Sequence, residues 1–329
     1  MKNKSLIYIS IFISIICFFS CKNEAKEEVN EEINEKDFNL TQTEIENIDK
    51  IIMSDKSGNI IKLEKKDEDW IINNKYIVWN SQTSGIPYVL EVMKDIRVKS
   101  SVSEAMTEYV LQDIATKGVK VEIFKKEQKI KSYYIGGNTS NHTGTYMIIE
   151  NAKNPYVMHI PDRRPGILNP KYKLSPANHV NENEWRERII ININPEEITE
   201  VKVMDFINEE QSYTINIKNK TLIGSKNKEI LIDNRKYDEF ASFFSNLQCG
   251  IYRSDLKAEN FILSKKIYIT NNNQIDSLII YDVDKIQKTQ KEYASTVENL
   301  YAKWNDSDMV IIQKNIFNKV LITLDEIKE

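Results

Sequence analysis

Short runs in which apolar and polar residues alternate recur twice along this chain in the same order, 150 residues apart, and that repeat constrains the fold more than any other feature. Ile48-Asp-Lys-Ile51-Ile-Met53 stands over Ile198-Thr-Glu-Val201-Lys-Val203. Each run leads through a polar turn to a second strand and then to a third short one, Trp70-Ile-Ile72 in the first half and Thr221-Leu-Ile223 in the second. A capping residue follows, Asn80 or Asn234, and then helical spacing: Ile86, Val89, Leu90 and Met93, against Tyr237, Phe240, Phe243, Phe244 and Leu247. Beyond a less regular stretch come paired strands, Val119 to Phe124 with Lys131 to Ile135, and Lys266 to Ile269 with Asp276 to Tyr281. A last pair begins near Tyr146 and near Tyr301.

A unit of this length is too long for a solenoid repeat and suits a domain. The expected fold is therefore α+β, with two tandem similar modules at 44–160 and 189–329, each a mainly antiparallel sheet with a covering helix. Four of the seven prolines, Pro161, Pro165, Pro170 and Pro176, fall between them. Proline lacks a backbone donor and fixes φ, so 161–188 reads as a crossing between modules. Ile316, Phe317, Val320, Leu321 and Leu324 predict a C-terminal helix on the second sheet.

The other end of the chain reads as an address. Lys2 and Lys4 precede an apolar run from Leu6 to Phe19, then Ser20 and Cys21, the order of a secretory signal. The run is shorter than the roughly 20 residues a bilayer-spanning helix needs, so a permanent span is the weaker reading. Phe18-Phe19-Ser20-Cys21 resembles the bacterial lipobox, with Phe where the pattern usually has leucine and a small residue; looser boxes are familiar in Bacteroidetes. That resemblance implies a signal peptide at 1–20, cleavage before Cys21, and attachment to a membrane through lipid, palmitate included, on Cys21. From Lys22 to Asp37 seven acids stand against three lysines with little to bury, so 21–43 reads as an acidic tether with a mean reach of about 25 Å. Lys26-Glu27-Glu28 resembles the surface-export signal of Bacteroidetes lipoproteins. The implied location is the cell envelope, with the outer membrane, on its periplasmic or exposed face, favoured over the inner.

The run Ile51 to Trp70, two strands and a turn before a tryptophan, resembles the opening of the bacterial family known only as domain of unknown function 4340. Tyr133-Tyr134-Ile135-Gly136-Gly137, Thr143-Gly144-Thr145-Tyr146 and Trp185-Arg186-Glu187-Arg188 continue the resemblance in order. Where the family often has a glycine and a proline before the central strand, this chain has Val110 and Ala115-Thr116-Lys117. The resemblance implies an envelope protein with no assigned activity and no agreed catalytic residues.

Chemistry-bearing patterns are few. His142, His159 and His179 are isolated, without metal-ligand spacing, and there is no G-x-S-x-G elbow. With Cys17 in the signal and Cys21 lipidated, Cys249 is left alone, so no internal disulfide forms and the core must supply stability. Gly136-Gly137 lacks a following helix and reads as a turn between strands rather than a phosphate cradle. Arg163 and Arg164, before Pro165-Gly166, are the candidate contact for a carboxylate or phosphate, against the plainer use of a surface or interdomain salt bridge. Asp276-Ser277-Leu278 looks like an O-glycosylation triplet of Bacteroidetes envelope proteins, in an expected strand. Trp70, Tyr76, Trp79 and Tyr88 suit helix-on-sheet packing or a sugar-stacking face. Without signal and tether the net charge is near −2, so no basic footprint for nucleic acid is present. The expectation is a non-catalytic binding or assembly component with an envelope protein partner and no cofactor or metal. A glycan or small-ligand binder, and an envelope hydrolase using paired carboxylates, are the alternatives.

Overall fold

Alternation puts successive side chains on opposite faces of a strand, so strands that share a core must pair with their apolar residues in register. A computed structural model describes residues 38–161, 166–174, 178–282 and 298–328 and pairs apolar residues in the inner strands, with register shifts such as those at Ile123/Phe124 and Leu263/Lys265. Among the described residues the architecture is α+β, two nine-stranded antiparallel sheets with six helices.

The first half runs α1 (Gln42–Asn47), β1 (Lys50–Ser54), β2 (Ile60–Lys66), β3 (Asp69–Ile72), β4 (Tyr76–Ile77), α2 (Ile86–Asp95), β5 (Arg97–Ser101), α3 (Glu104–Lys117), β6 (Val119–Lys125), β7 (Gln128–Asn138), β8 (Thr145–Ile149) and β9 (Tyr156–His159). Its strand order is β4-β3-β2-β1-β6-β7-β8-β9-β5. After the meander β1 to β4, α2 carries the chain across to the far edge, where β5 pairs with β9, and α3 brings it back to the middle. Ile51 faces Leu63 on one side and Ile123 on the other, and Met53 faces Ile61 and Val121; all six are buried. Ile86, Val89, Val92 and Met93 are the buried face of α2. On the opposite face Lys120 and Lys129 each reach both Glu122 and Glu150.

The second half adds β10 (Ile189–Ile191), β11 (Ile198–Asp205), β12 (Tyr213–Asn216), β13 (Thr221–Gly224), β14 (Glu229–Ile230), α4 (Asn234–Ser242), β15 (Leu247–Gln248), β16 (Ile251–Tyr252), β17 (Ile262–Asn271), β18 (Gln274–Asp282), β19 (Asn299–Trp304), β20 (Met309–Gln313), α5 (Lys314–Phe317) and α6 (Leu324–Lys328). The order β14-β13-β12-β11-β17-β18-β19-β20-β16 is that of the first sheet, strand for strand, and β10 pairs separately with β15. Tyr237, Phe240 and Phe244 pack with Phe317, Val320, Leu324 and Ile327 over Val201, Val203, Ile267 and Leu278. Phe240 meets Tyr213, Phe243 and Phe244 edge-on, the arrangement that ring quadrupoles favour.

Four local expectations are corrected. The expected caps Asn80 and Asn234 are not the caps: Gly85 precedes α2, with Pro87 in its first turn, and the Asp233 carboxylate accepts from Arg235 N before α4. The second helix does not reach Leu247, which lies in β15; Ser242 and Ser245 turn their hydroxyls onto carbonyls at its end and Asn246 takes φ +53°. The single C-terminal helix is two, because Thr323 and Glu326 form a reciprocal cap that starts α6 afresh and leaves Ile316 39 % exposed. Gly136 and Gly137 are not a turn but lie inside β7, under α3.

There a Cβ on Gly136 would stand 2.5 Å from Ile114 Cγ1, and one on Gly137 would stand 2.6 Å from the Asp113 carboxylate that accepts from Gly137 N. Absence of side chains lets α3 close onto the strand. The helix itself was unforeseen, since only Val110 and Ile114 of its 14 residues are buried and its pattern carries little amphipathic signal.

Packing also begins and ends outside the expected bounds. Phe38 and Leu40 are buried, Phe38 6.3 Å from the Tyr133 ring, and Leu40 N donates to Met93 O. In the crossing, Leu168, Tyr172, Leu174, Val180 and Trp185 are buried. Asn169 and Asn178 both donate to Gly136 O, Thr145 Oγ1 takes Leu168 N, and Tyr133 and Tyr172 share a hydroxyl bond of 2.9 Å.

Gly136→Val should destabilise the protein by about 1–3 kcal/mol through overpacking against Ile114. Ile114→Ala in the same chain should cost less than it does in the wild type, because the pair shares one space. Urea unfolding of the four chains of this cycle is the measurement.

Candidate functional site

A guanidinium is planar, permanently charged and weakly hydrated, so two aromatic rings can hold one out of water provided a carboxylate balances its charge. Trp185-Arg186-Glu187-Arg188 meets those conditions between the two sheets. The short helical turn Glu182–Glu184, capped by Asn181, delivers the segment to the outer edge of β4. There Trp79 N donates to Trp185 O at 2.7 Å, Glu187 N donates to Ile77 O at 2.9 Å, and Arg186 bridges to Val78. The segment thus completes the first sheet's edge.

From that backbone position the Arg186 guanidinium lies 3.7 Å from the centre of the Tyr76 ring, in β4, and 3.6 Å from that of Tyr252, in β16. Its Nη1 is 2.5 Å from Asp308 Oδ2, which also accepts from the Tyr76 hydroxyl, and 3.3 Å from Asn183 Oδ1. The side chain is 6 % exposed. Tyr252 donates its own hydroxyl to Glu187 O, and Asn183 donates to Ser254 Oγ. One residue from the connecting segment is therefore held by residues of both sheets.

A second cation group adjoins it. Arg188 pairs with Glu184, lies 5.2 Å from the Trp79 ring and keeps a buried Nε with no partner. Lys173 donates to Glu184 O, with Trp79 and Trp185 rings at 5.4 and 5.5 Å. Burial, helped by the Arg188 charge and opposed by Glu184, brings the Lys173 ammonium down to about 8. Cys249 donates its N–H to Arg188 O, and burial pushes its thiol up to about 11 against the pull of Arg188. A thiol so placed is almost wholly protonated at neutral pH and a poor nucleophile.

The residues singled out in the sequence fall elsewhere or elsewhere in role. Cys21, Arg163 and Arg164 lie outside the described residues. Tyr76 and Trp79 join the junction, whereas Trp70 is buried in β3. His179 Nδ1 is 3.2 Å from Asp55, His142 lies in an exposed turn at φ +53°, and His159 ends β9. Burial opposes ionisation of Asp55, but bonds from Asn59, Val180 and His179 outweigh it and hold its carboxyl below the usual range. Ser277 sits in β18 between two strands, with its N–H bonded to Asn305. Arg186 and Arg188 were visible only as part of a family-like motif. The available signal was a tryptophan beside two arginines at strand spacing, in a region otherwise marked by prolines.

Among the described residues no group of three or more His, Cys, Asp or Glu side chains could hold a metal ion, and no helix is long and apolar enough to cross a membrane. The family model described as Domain of unknown function (DUF4340) matches residues 75–266, a span that contains the whole Trp185–Arg188 segment. No curated protein and no solved structure matches the chain.

Arg186→Ala strips the charge partner from Asp308, whose side chain is 31 % exposed, and empties the space between two rings, and should cost about 1–3 kcal/mol in chemical denaturation. Lys173 predicts a pH dependence. It gives up its proton near pH 8 when folded and near 10.5 when unfolded, so the unfolded chain binds the extra proton between those values. Its penalty is full below pH 8 and is relieved as pH rises to 10.5. Lys173→Met should be more stable than the wild type at pH 7, and that advantage should shrink across this window when unfolding is followed against pH.

Proposed function

The chain belongs to the DUF4340 family, and from that premise we propose that it is a non-catalytic, lipid-anchored component of the cell envelope, built of two tandem modules that present surfaces to an envelope protein partner. The observation that carries this reading is the Arg186 clamp. The charged and aromatic side chains gathered at the junction are engaged with one another across two sheets, and the one free thiol there is suppressed by burial. Such an arrangement stiffens a scaffold and leaves no activated nucleophile at its centre.

Support for two modules goes beyond the shared strand order. Asp55, the residue after β1, and Asp205, the last residue of β11, lie 150 residues apart, and each turns a carboxylate onto backbone N–H groups of the following hairpin, those of Ser57 and Asn59 and those of Ile207 and Asn208. Leu40 N donates to Met93 O beside the first covering helix, and Ile193 N to Phe244 O beside the second. Support for the anchor is the sequence of Phe18 to Cys21 with the acidic stretch behind it.

Cys21→Ala should abolish incorporation of labelled palmitate and move the protein from the membrane fraction to the soluble one. Unchanged fractionation and labelling would remove the anchor from this proposal. Residues 189–329 expressed alone should unfold cooperatively in urea, as a module with its own core does; a non-cooperative transition would count against the tandem arrangement.

A further inference from the structure

Helix α3 closes on the first sheet unevenly. At Gly136 and Gly137 the missing side chains let Ile114 and the Asp113 carboxylate approach the strand. Next to that contact, Leu111, Ile114 and Ala115 of the helix, with Tyr134 in β7, Ile148 in β8 and Ala152 just after it, line a cleft of about 190 Å³ that opens to solvent. Val110, Ile114 and Ile148 are buried there, but Leu111, Tyr134 and Ala152 are only half-buried around them. Covering such walls removes apolar surface from water, which is favourable. An apolar cavity of about 150 Å³ is large enough for benzene, so this cleft suits an apolar body of roughly six to eight carbons.

The rim supplies the polar contacts. Among the described lining residues only Lys56, in the turn after β1, is charged. It is exposed, its Nζ lies 5.3 Å from the centre of the Tyr134 ring, and it enters no ion pair among the described residues. An ammonium over a ring face still has N–H donors to give. Acids close in sequence to the cleft are engaged elsewhere: Asp113 with Lys117 and Gly137 N, Glu150 with Lys120 and Lys129. Asn151 lines the same cleft and its side-chain amide is a second donor.

We propose that this cleft binds a small amphiphilic carboxylate, whose aliphatic body lies against Leu111, Ile148 and Ala152 and whose carboxylate meets Lys56 and Asn151. Apolar walls with a few convergent polar groups are the usual build of a small-molecule site, the walls supplying affinity and the polar groups orientation. Charge selects the head: Lys56 attracts a carboxylate and repels an amine of the same length. Volume selects the tail. The site uses one face of the first sheet only, so it stands apart from the readings of anchor and tandem modules.

The test titrates the full chain with octanoate, and separately with octylamine, by isothermal titration calorimetry. Octanoate should bind saturably and octylamine more weakly. Lys56→Glu, at an exposed position, should weaken octanoate about tenfold, because charge reversal replaces an attraction with a repulsion. Ala152→Trp, which fills the cleft, should abolish binding. Urea midpoints like that of the wild type show that the variants are folded; if Ala152→Trp does not fold, Ala115→Trp on the exposed side of α3 takes its place. No saturable binding, equal affinity for octanoate and octylamine, or affinity indifferent to Lys56→Glu overturns the proposal. Binding that survives the folded tryptophan variant places the ligand elsewhere on the chain and overturns it as well.

Discussion

The Arg186 guanidinium, stacked between Tyr76 and Tyr252 and paired with Asp308, is the contact on which the relation of the two sheets depends. Removing a charge from water is expensive, and the cost is offset here only when the aromatic faces and the carboxylate are all in place. Those partners come from β4, from β16 and from the turn between β19 and β20, so the charge is satisfied only when both sheets are formed and correctly set. A hydrophobic contact of the same area would tolerate sliding. A buried charge with directional partners does not, which makes this a device for register as much as for stability.

The same logic operates at smaller scale wherever the chain leaves a sheet. Asp55 and Asp205 turn their hairpins by accepting backbone N–H groups, and Asp55 also takes Val180 N and His179, fastening the crossing segment to the first hairpin. Thr145, Asn169 and Asn178 form a buried polar group that satisfies Gly136 O and Leu168 N. Because unpaired buried polar groups are costly, each network admits one placement of the loop that feeds it. In the crossing, Asn169 and Asn178 hold the described residues against the first sheet.

The outer edge of β4 illustrates how local sequence and tertiary placement part company. Val78, just beyond that two-residue strand, is buried beneath a segment more than a hundred residues away, Trp185 to Glu187, whose docking no window of local pattern reveals. Likewise Gly136 and Gly137 look like a turn when read along the chain; only the presence of α3 above β7 makes their missing side chains a packing requirement.

Most strands were legible because alternation is a local property: Val119–Lys125, Ile198–Asp205 and the hairpins beside them declare half-buried strands through composition at period two. Helix α3, with two buried residues, the end of α4, where serine hydroxyls bond carbonyls, and the start of α6, capped by Thr323 and Glu326, were not, since capping and close approach decide them rather than amphipathic spacing. The candidate site was less legible still. Its residues, Tyr76, Lys173, Arg186, Tyr252 and Asp308, are scattered over the chain, and only Arg186, in the family-like Trp185–Arg188 run, belongs to a motif. The sequence by itself determined the α+β class, the strands and their repetition 150 residues on, because those follow from nearest-neighbour chemistry. Only the tertiary structure decided that an arginine is the clamp, that a glycine pair admits a helix, and that the edge of β4 is covered by Trp185 to Glu187, because each depends on groups brought together from distant parts of the chain.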